Sequence, residues 1–201
     1  VRPDFAFFVT RNLRPDSPVV HLFFDPPHHY DEKLNQIDVV RTTPQDSPYR
    51  FEIDLTSGQI FKKWNYCKQK DLWKNYGSQL KFPPFHLAIV PQIYDVQKNP
   101  QRVIVFGDEK YFTKFAPNKM EADRIRIVGG VVEERCPHFP CQSQEDWHKS
   151  LILVGVHPSD DSFKEIKSVF DLKKEIDWAE VVAFLENGDG HLYTGENFYP
   201  S

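Results

Sequence analysis

The chain has 201 residues, with 25 lysines and arginines against 29 aspartates and glutamates, so its formal net charge at pH 7 is −4. A dedicated DNA-binding domain is usually basic overall, and this charge balance argues against one. Charged residues make up 27% and hydrophobic residues 40% of the chain, which is typical of a folded globular protein rather than a disordered one. We therefore expect a single globular domain over residues 1–201.

No stretch of the sequence is apolar enough to cross a membrane as a helix. The longest aliphatic runs, such as 151–154, are far shorter than the ~20 residues that a spanning helix requires. The chain has three cysteines, two of them close together, which favours an oxidising compartment. We therefore expect a secreted or periplasmic protein, with the cytoplasm as the alternative.

The first 43 residues predict strands and a polar loop. Residues 5–9 and 18–24 have the apolar composition of buried strands. The loop at 25–32 contains two prolines and the pair His28 and His29. Imidazole and carboxylate groups can bind metals, but adjacent histidines in an extended loop point apart, so we interpret this segment as solvated. Residues 33–43 fit either a short helix or an edge strand.

An aromatic hairpin follows. Apolar residues alternate with acids over 51–55, the period of a half-buried strand. Residues 56–59 then supply turn chemistry, because Gly58 can adopt positive φ without steric cost. Residues 60–66 are predicted to form the returning strand. Apolar spacing over 68–77 then predicts a short helix.

The segment between Lys62 and Lys81 is locally basic, with six lysines and a single acid, and contains two tryptophans and two tyrosines. Such a mixture can bind single-stranded nucleic acid, a polysaccharide or an acidic partner. The candidate binding residues are Lys62, Lys63, Trp64, Tyr66, Lys70, Trp73 and Tyr76. Our main interpretation is instead that the rings are core residues and the lysines are solvated. We therefore expect Trp64 to be buried, and we do not expect nucleic acid as a partner.

Four further segments predict the core of the sheet. Residues 86–90 and 102–106 are β-branched and almost continuously apolar, as in central strands. Residues 124–132 and 150–156 form the strongest predicted pair. The glycines at 129–130 indicate a bulge or a close backbone approach in this pair.

The connection between the last two strands contains Cys136 and Cys141. A disulfide between them is the first interpretation, because six residues with two prolines can turn back within disulfide distance. Free thiols are the second. Zinc bound with His138 is the third, because a structural zinc site needs four ligands. We therefore predict a disulfide, with Cys67 unpaired, and no metal or cofactor.

The C-terminal part predicts helices. Ser162 and Glu165 have the spacing of a capping box for a helix over 162–170. A second helix is predicted from the spacing of Leu172, Ile176, Ala179 and Ala183. From about residue 157 this part is acidic, with ten acids against four lysines.

Together these patterns predict an α+β or mostly β fold, with a largely antiparallel sheet or sandwich and helices concentrated after residue 160. Our first functional hypothesis is a non-enzymatic binding or scaffold protein that packs with other protein subunits in an extracytoplasmic assembly. It depends on the many aromatics, the segregated charge and the absence of a complete catalytic motif. Enzymatic activity is left open.

Two alternatives remain. A metal-dependent hydrolase or nuclease would use Asp54, Asp108 and Glu109 as metal ligands, with Lys110 assisting. A binder of single-stranded nucleic acid or polysaccharide would use the aromatic rings and lysines of the basic segment.

Overall fold

The computed structural model describes a strand-rich chain with two short α-helices near its C-terminus. The described residues are 30–47, 50–53, 60–63, 66–67, 72–73, 83–94, 100–116, 121–135, 143, 148–188 and 198–199. The strands are β1 (Gln36–Thr43), β2 (Arg50–Ile53), β3 (Ile60–Lys63), β4 (Tyr66–Cys67), β5 (Leu72–Trp73), β6 (His86–Tyr94), β7 (Pro100–Phe106), β8 (Ala122–Arg135), β9 (His148–Val156) and β10 (Phe198–Tyr199). The helices are α1 (Val169–Glu175) and α2 (Trp178–Gly188). The predicted fold class, with helices after residue 160, is confirmed.

Five of the strands close into a barrel in the order β1–β6–β7–β9–β8. Closure occurs because β1 pairs with β6 on one side and with β8 on the other, so that Val40 faces both Ile89 and Ala122. All these pairs are antiparallel except β7 with β9. The predicted sheet or sandwich is therefore a barrel, and β1 is neither a helix nor an edge strand.

The long strand β8 has a bulge, as its glycines predict. Its register with β9 shifts between Ile127 and Gly129. The residues before the bulge pair with β1, and Gly130 and Val131 after it pair with β10. The bulge thus separates the part of β8 that closes the barrel from the part that extends beyond it.

The predicted aromatic hairpin is present as the antiparallel pair β2–β3. The helix predicted over 68–77 is wrong at Leu72 and Trp73, which form β5 and pair with β4. Among the candidate binding residues, Trp64, Lys70 and Tyr76 lie outside the described residues, as do the strands predicted at 5–9 and 18–24. Lys62, Lys63, Tyr66 and Trp73 lie in strands.

Apolar side chains fill both faces of the barrel wall. Among the described residues, the interior holds a buried cluster formed by Ile37, Val39, Ala88, Val90, Val103, Val105, Phe112 and Ile125. The outer face of β7, β8 and β9 packs against α1 and α2 through a second cluster, in which Ile104, Ile152, Leu172 and Phe184 are buried. Strand alternation explains this division, because successive side chains point to opposite faces.

The helix boundaries differ from the predicted ones. Ser168 caps α1 by accepting a hydrogen bond from the backbone of Asp171, whereas Ser162 lies in a short 3-10 turn capped by Asp160. The predicted capping box at Ser162 is therefore wrong. Ile176 has an extended backbone and ends α1, so the apolar spacing after residue 172 spans two helices rather than one. No helix in the described residues is long and apolar enough to span a membrane.

Candidate functional site

Charged and polar side chains cluster at one end of the barrel, where β1 ends, β6 and β8 begin, and the loop after β7 crosses. We call Arg41, His86, Glu109, Thr113 and Asp123 the end cluster. Arg41 lies on the inward face of β1 by alternation, and its side chain is 2% exposed. The antiparallel register of β1 with its two neighbours brings these chain segments together.

Arg41 is the centre of the end cluster. Its Nη1 donates to Oε2 of Glu109 at 2.5 Å, and its Nη2 donates to the carbonyl oxygen of Thr113 at 2.5 Å. Its Nε lies 3.6 Å from Oδ2 of Asp123 and has no hydrogen-bond partner among the described residues. The guanidinium also lies over the ring of Phe112, 4.4 Å from the ring centre. The buried charge is therefore held by two carboxylates and an aromatic face.

His86 is held as a neutral imidazole. Its Nδ1 accepts a hydrogen bond from the backbone of Gln45 at 2.9 Å, so Nε2 carries the proton and donates to the carbonyl oxygen of Gly107 at 3.0 Å. Burial is the main cause that lowers the pKa of His86 to about 4; the charge of Arg41 acts in the same direction and the hydrogen bond to Gly107 in the opposite one. The ring therefore bridges two loops without carrying charge near neutral pH.

Asp123 connects the loop after β7 to β8. Its Oδ1 accepts from the backbone of Thr113 at 2.8 Å and its Oδ2 accepts from the hydroxyl of Thr113 at 3.2 Å. Burial raises the pKa of this carboxyl, although the hydrogen bonds from Thr113 and the charge of Arg41 act in the opposite direction. Asp123 and Arg41 thus both hold the loop at Thr113: Asp123 binds its amide and hydroxyl, and Arg41 binds its carbonyl oxygen.

A second group of charges lies on the outer face of the barrel wall. We call Arg102, Glu133 and Ser150 the wall cluster. Glu133 faces Ser150 across the β8–β9 pair, and its side chain is completely buried. Arg102 forms an ion pair with Glu133 and donates to the hydroxyl of Ser150 at 3.0 Å, and that hydroxyl donates to Glu133 at 3.1 Å. Arg102 is 28% exposed, so solvent reaches this cation.

The residues proposed for a metal-dependent hydrolase are only partly brought together. Asp108 forms an ion pair with Lys110 at 3.0 Å, and Glu109 is bound to Arg41. Asp54 lies outside the described residues. Within the described part of the chain, no group of three His, Cys, Asp or Glu side chains is placed to hold a metal ion.

The predictions for the cysteine pair and the histidine pair concern residues that the structure does not describe. Cys136, Cys141, His28 and His29 lie outside the described residues, so the predicted disulfide stays a prediction; the described residues themselves contain no disulfide. Sequence reasoning missed Arg41, Asp123 and the wall cluster. The available signal was a charged residue within or beside an apolar strand, as in the run DVVRTT at 38–43.

Solved structures with a similar fold are inorganic pyrophosphatases. The enzyme from Thermus thermophilus has a TM-score of 0.58 at 15% identity, over 87% of this chain and 88% of its own. The enzyme from Ehrlichia chaffeensis has a TM-score of 0.52 at 17% identity, over 83% and 86%. The enzyme from Coxiella burnetii has a TM-score of 0.54 at 14% identity, over 81% and 82%.

At sequence identities this low, the structural similarity shows a common fold and nothing more specific. No protein-family model matches the sequence, and no curated protein matches it significantly. These structural neighbours are enzymes of one hydrolase class, so our first hypothesis, a non-enzymatic binding or scaffold protein with a structural role, is wrong. The neighbours favour the hydrolase alternative.

Proposed function

We propose that this protein is a hydrolase that cleaves a phosphoanhydride bond, with inorganic pyrophosphate as the first substrate to test. The observation that carries the proposal is the extent of the fold match, which covers more than four fifths of both chains for the three pyrophosphatases described above. A match of that extent concerns most of the chain rather than one local motif.

A metal ion usually neutralises the charge of a diphosphate and polarises its phosphorus–oxygen bonds. The described residues do not fit such an ion, because Asp108 and Glu109 are already paired with Lys110 and Arg41. We therefore assign no metal ligand and no step to these residues. The requirement for a cation is one of the quantities that the experiment below measures.

Arg102 is the side chain that we assign to contact an anionic substrate. Its side chain is 28% exposed, whereas that of Arg41 is 2% exposed. Arginine matches the geometry of phosphate oxygens with its planar fork of donors. Glu133 and Ser150 fix one end of that fork and therefore orient the group without contacting substrate.

The proposal is tested by measuring phosphate release from inorganic pyrophosphate by the purified 201-residue chain. The assay is run with Mg²⁺, Mn²⁺ or Zn²⁺ and with a chelator. We expect turnover on the order of 1 s⁻¹ or faster, within the common range for enzymes, with at least one of these cations. If no release above the uncatalysed rate occurs with any cation, the proposal is wrong.

The role of Arg102 is tested by Arg102→Lys, which keeps the charge opposite Glu133 but removes the planar fork. We expect KM for pyrophosphate to rise about tenfold, equivalent to about 1.4 kcal/mol of binding, with kcat less affected. Lys174→Ala, on the exposed side of α1, removes a cation elsewhere and should leave both constants unchanged. If Arg102→Lys behaves as the wild type, Arg102 does not bind substrate, and the hydrolase proposal is unaffected.

A further inference from the structure

We propose that Arg41 is a binding site for a small oxyanion such as phosphate, and that the carboxylate of Glu109 occupies this site in the structure as a displaceable internal ligand. The site lies at the end of the barrel. It does not depend on the proposed hydrolase activity, because the observations that carry it are the contacts of Arg41 alone.

The first observation is that the guanidinium is buried but incompletely bound. Arg41 is 2% exposed, yet its Nε has no hydrogen-bond partner among the described residues. A buried donor without a partner costs free energy. Asp123 lies 3.6 Å from Nε, which is too far for a hydrogen bond, and both of its oxygens accept hydrogen bonds from Thr113.

The second observation is that the ligands of Arg41 differ in how firmly they are held. The carbonyl oxygen of Thr113 belongs to a backbone fixed by Asp123. Glu109, by contrast, is 55% exposed and lies in a three-residue 3-10 turn, Glu109–Tyr111. Its carboxylate therefore marks a path from solvent to Nη1, and rotation of this one side chain opens that path.

The third observation concerns charge. When Glu109 turns away, Asp123 is the described carboxylate that remains near the guanidinium, and the exposed ammonium of Lys110 follows Glu109 in the chain. Phosphate brings the same oxygen chemistry as a carboxylate and forms strong charge-assisted hydrogen bonds with arginine. Since Asp123 offsets part of the positive charge, we expect weak binding, with a dissociation constant on the order of 1 mM.

The test is a titration of the purified 201-residue protein with inorganic phosphate at constant ionic strength. Binding is measured by calorimetry and by the ¹⁵N resonance of Arg41 Nε, which is assigned by its absence in Arg41→Lys. In the wild type, we expect that resonance to shift saturably with phosphate. In Glu109→Gln the internal carboxylate is lost, and we expect phosphate to bind at least about fivefold more tightly, equivalent to about 1 kcal/mol.

Glu165→Gln is the matched control, because it removes the same charge from an exposed position on another segment; its affinity should equal that of the wild type. Arg102→Lys should also leave the shift of Arg41 Nε unchanged, which separates this site from a substrate site in the wall cluster. The proposal is overturned if phosphate leaves the Arg41 Nε resonance in place, or if Glu109→Gln binds phosphate no more tightly than Glu165→Gln does.

Discussion

At the scale of single residues, the neutral imidazole of His86 makes stability depend on pH. Its pKa is lowered to about 4 in the folded protein, whereas an unfolded histidine titrates near 6.5. Below pH ~6.5 the unfolded state therefore binds a proton that the folded state does not, and stability falls until the pH reaches about 4. Burial also lowers the pKa of His157, which acts in the same direction.

We expect the free energy of unfolding to be lower at pH 5 than at pH 7, with His86 contributing about 2 kcal/mol of the difference. In His86→Gln the side chain cannot titrate, so this part of the pH dependence should disappear in denaturant unfolding at the two pH values. The raised pKa of Asp123 opposes the trend, because the folded carboxyl keeps its proton to higher pH. An equal pH dependence in wild type and variant would contradict the assignment.

The ion pair between Arg102 and Glu133 leads to a second prediction. Glu133 is completely buried, so Arg102→Met leaves an uncompensated charge and should cost about 3–5 kcal/mol of stability. The double variant Arg102→Met/Glu133→Leu removes both charges and should recover most of that loss. The two values are compared by urea unfolding, and a double variant as unstable as the single one would show that packing, not charge, sets the cost.

The ion pairs of Arg41 with Glu109 and of Arg102 with Glu133 could not be predicted from the sequence, for a physical reason. Arg41 and Glu109 are 68 residues apart in the chain, and Arg102 and Glu133 are 31 apart in number, so neither pair has a local signature. Asp108, Glu109 and Lys110 were noticed because they are consecutive, but their partners could not be inferred. Arg41 lies beside Glu109 because β1 pairs with β6, β6 pairs with β7, and Glu109 follows β7.

At the scale of elements, the predictions were most accurate where the local sequence pattern favours the same structure as the pairing with neighbouring strands. The strands at 86–90, 102–106, 124–132 and 150–156 are apolar enough to be identified without knowing their neighbours, and all lie within β6, β7, β8 and β9. The segment 33–43 stayed ambiguous because its strand character depends on pairing with both β6 and β8. The segment 68–77 has helical spacing, yet the pairing of β5 with β4 overrides it.

The start of α1 allows a direct test of two competing caps. Ser168 accepts from the backbone of Asp171 at 3.2 Å, whereas Ser162 is exposed in a turn capped by Asp160. We expect Ser168→Ala to lower the free energy of unfolding by about 1 kcal/mol. Ser162→Ala should change it by less than about 0.5 kcal/mol. Thermal or urea unfolding of both variants checks this, and equal losses would contradict the cap assignment.

At the scale of the whole molecule, two glycines show how tightly the barrel closes. A Cβ at Gly155 would lie 2.5 Å from Cγ2 of the buried Ile125 and 3.2 Å from the backbone oxygen of Arg126. A Cβ at Gly130 would lie 2.8 Å from the tip of Leu151 and 3.1 Å from the backbone oxygen of Ile152. The difference between the two sites is the side chain that must move, because Leu151 is partly exposed whereas Ile125 is buried.

We therefore expect Gly155→Ala to cost about 1–3 kcal/mol, the usual range for overpacking, and Gly130→Ala to cost clearly less. The comparison is made by the midpoint and slope of urea unfolding. If Gly130→Ala proves the more damaging change, the barrel interior near Ile125 has more space than the structure indicates.

The double pairing of β1 also determines when the molecule can become complete during synthesis. Gln36 pairs with Arg126, so one side of β1 has no partner until 90 further residues have been made. At the usual 5–20 residues per second this takes roughly 5–20 s. During that interval the nascent chain presents an open strand edge, a template for pairing with other chains. Fragments that stop before residue 122 should therefore aggregate or remain bound to chaperones, whereas chains that include both β8 and β9 can close the barrel.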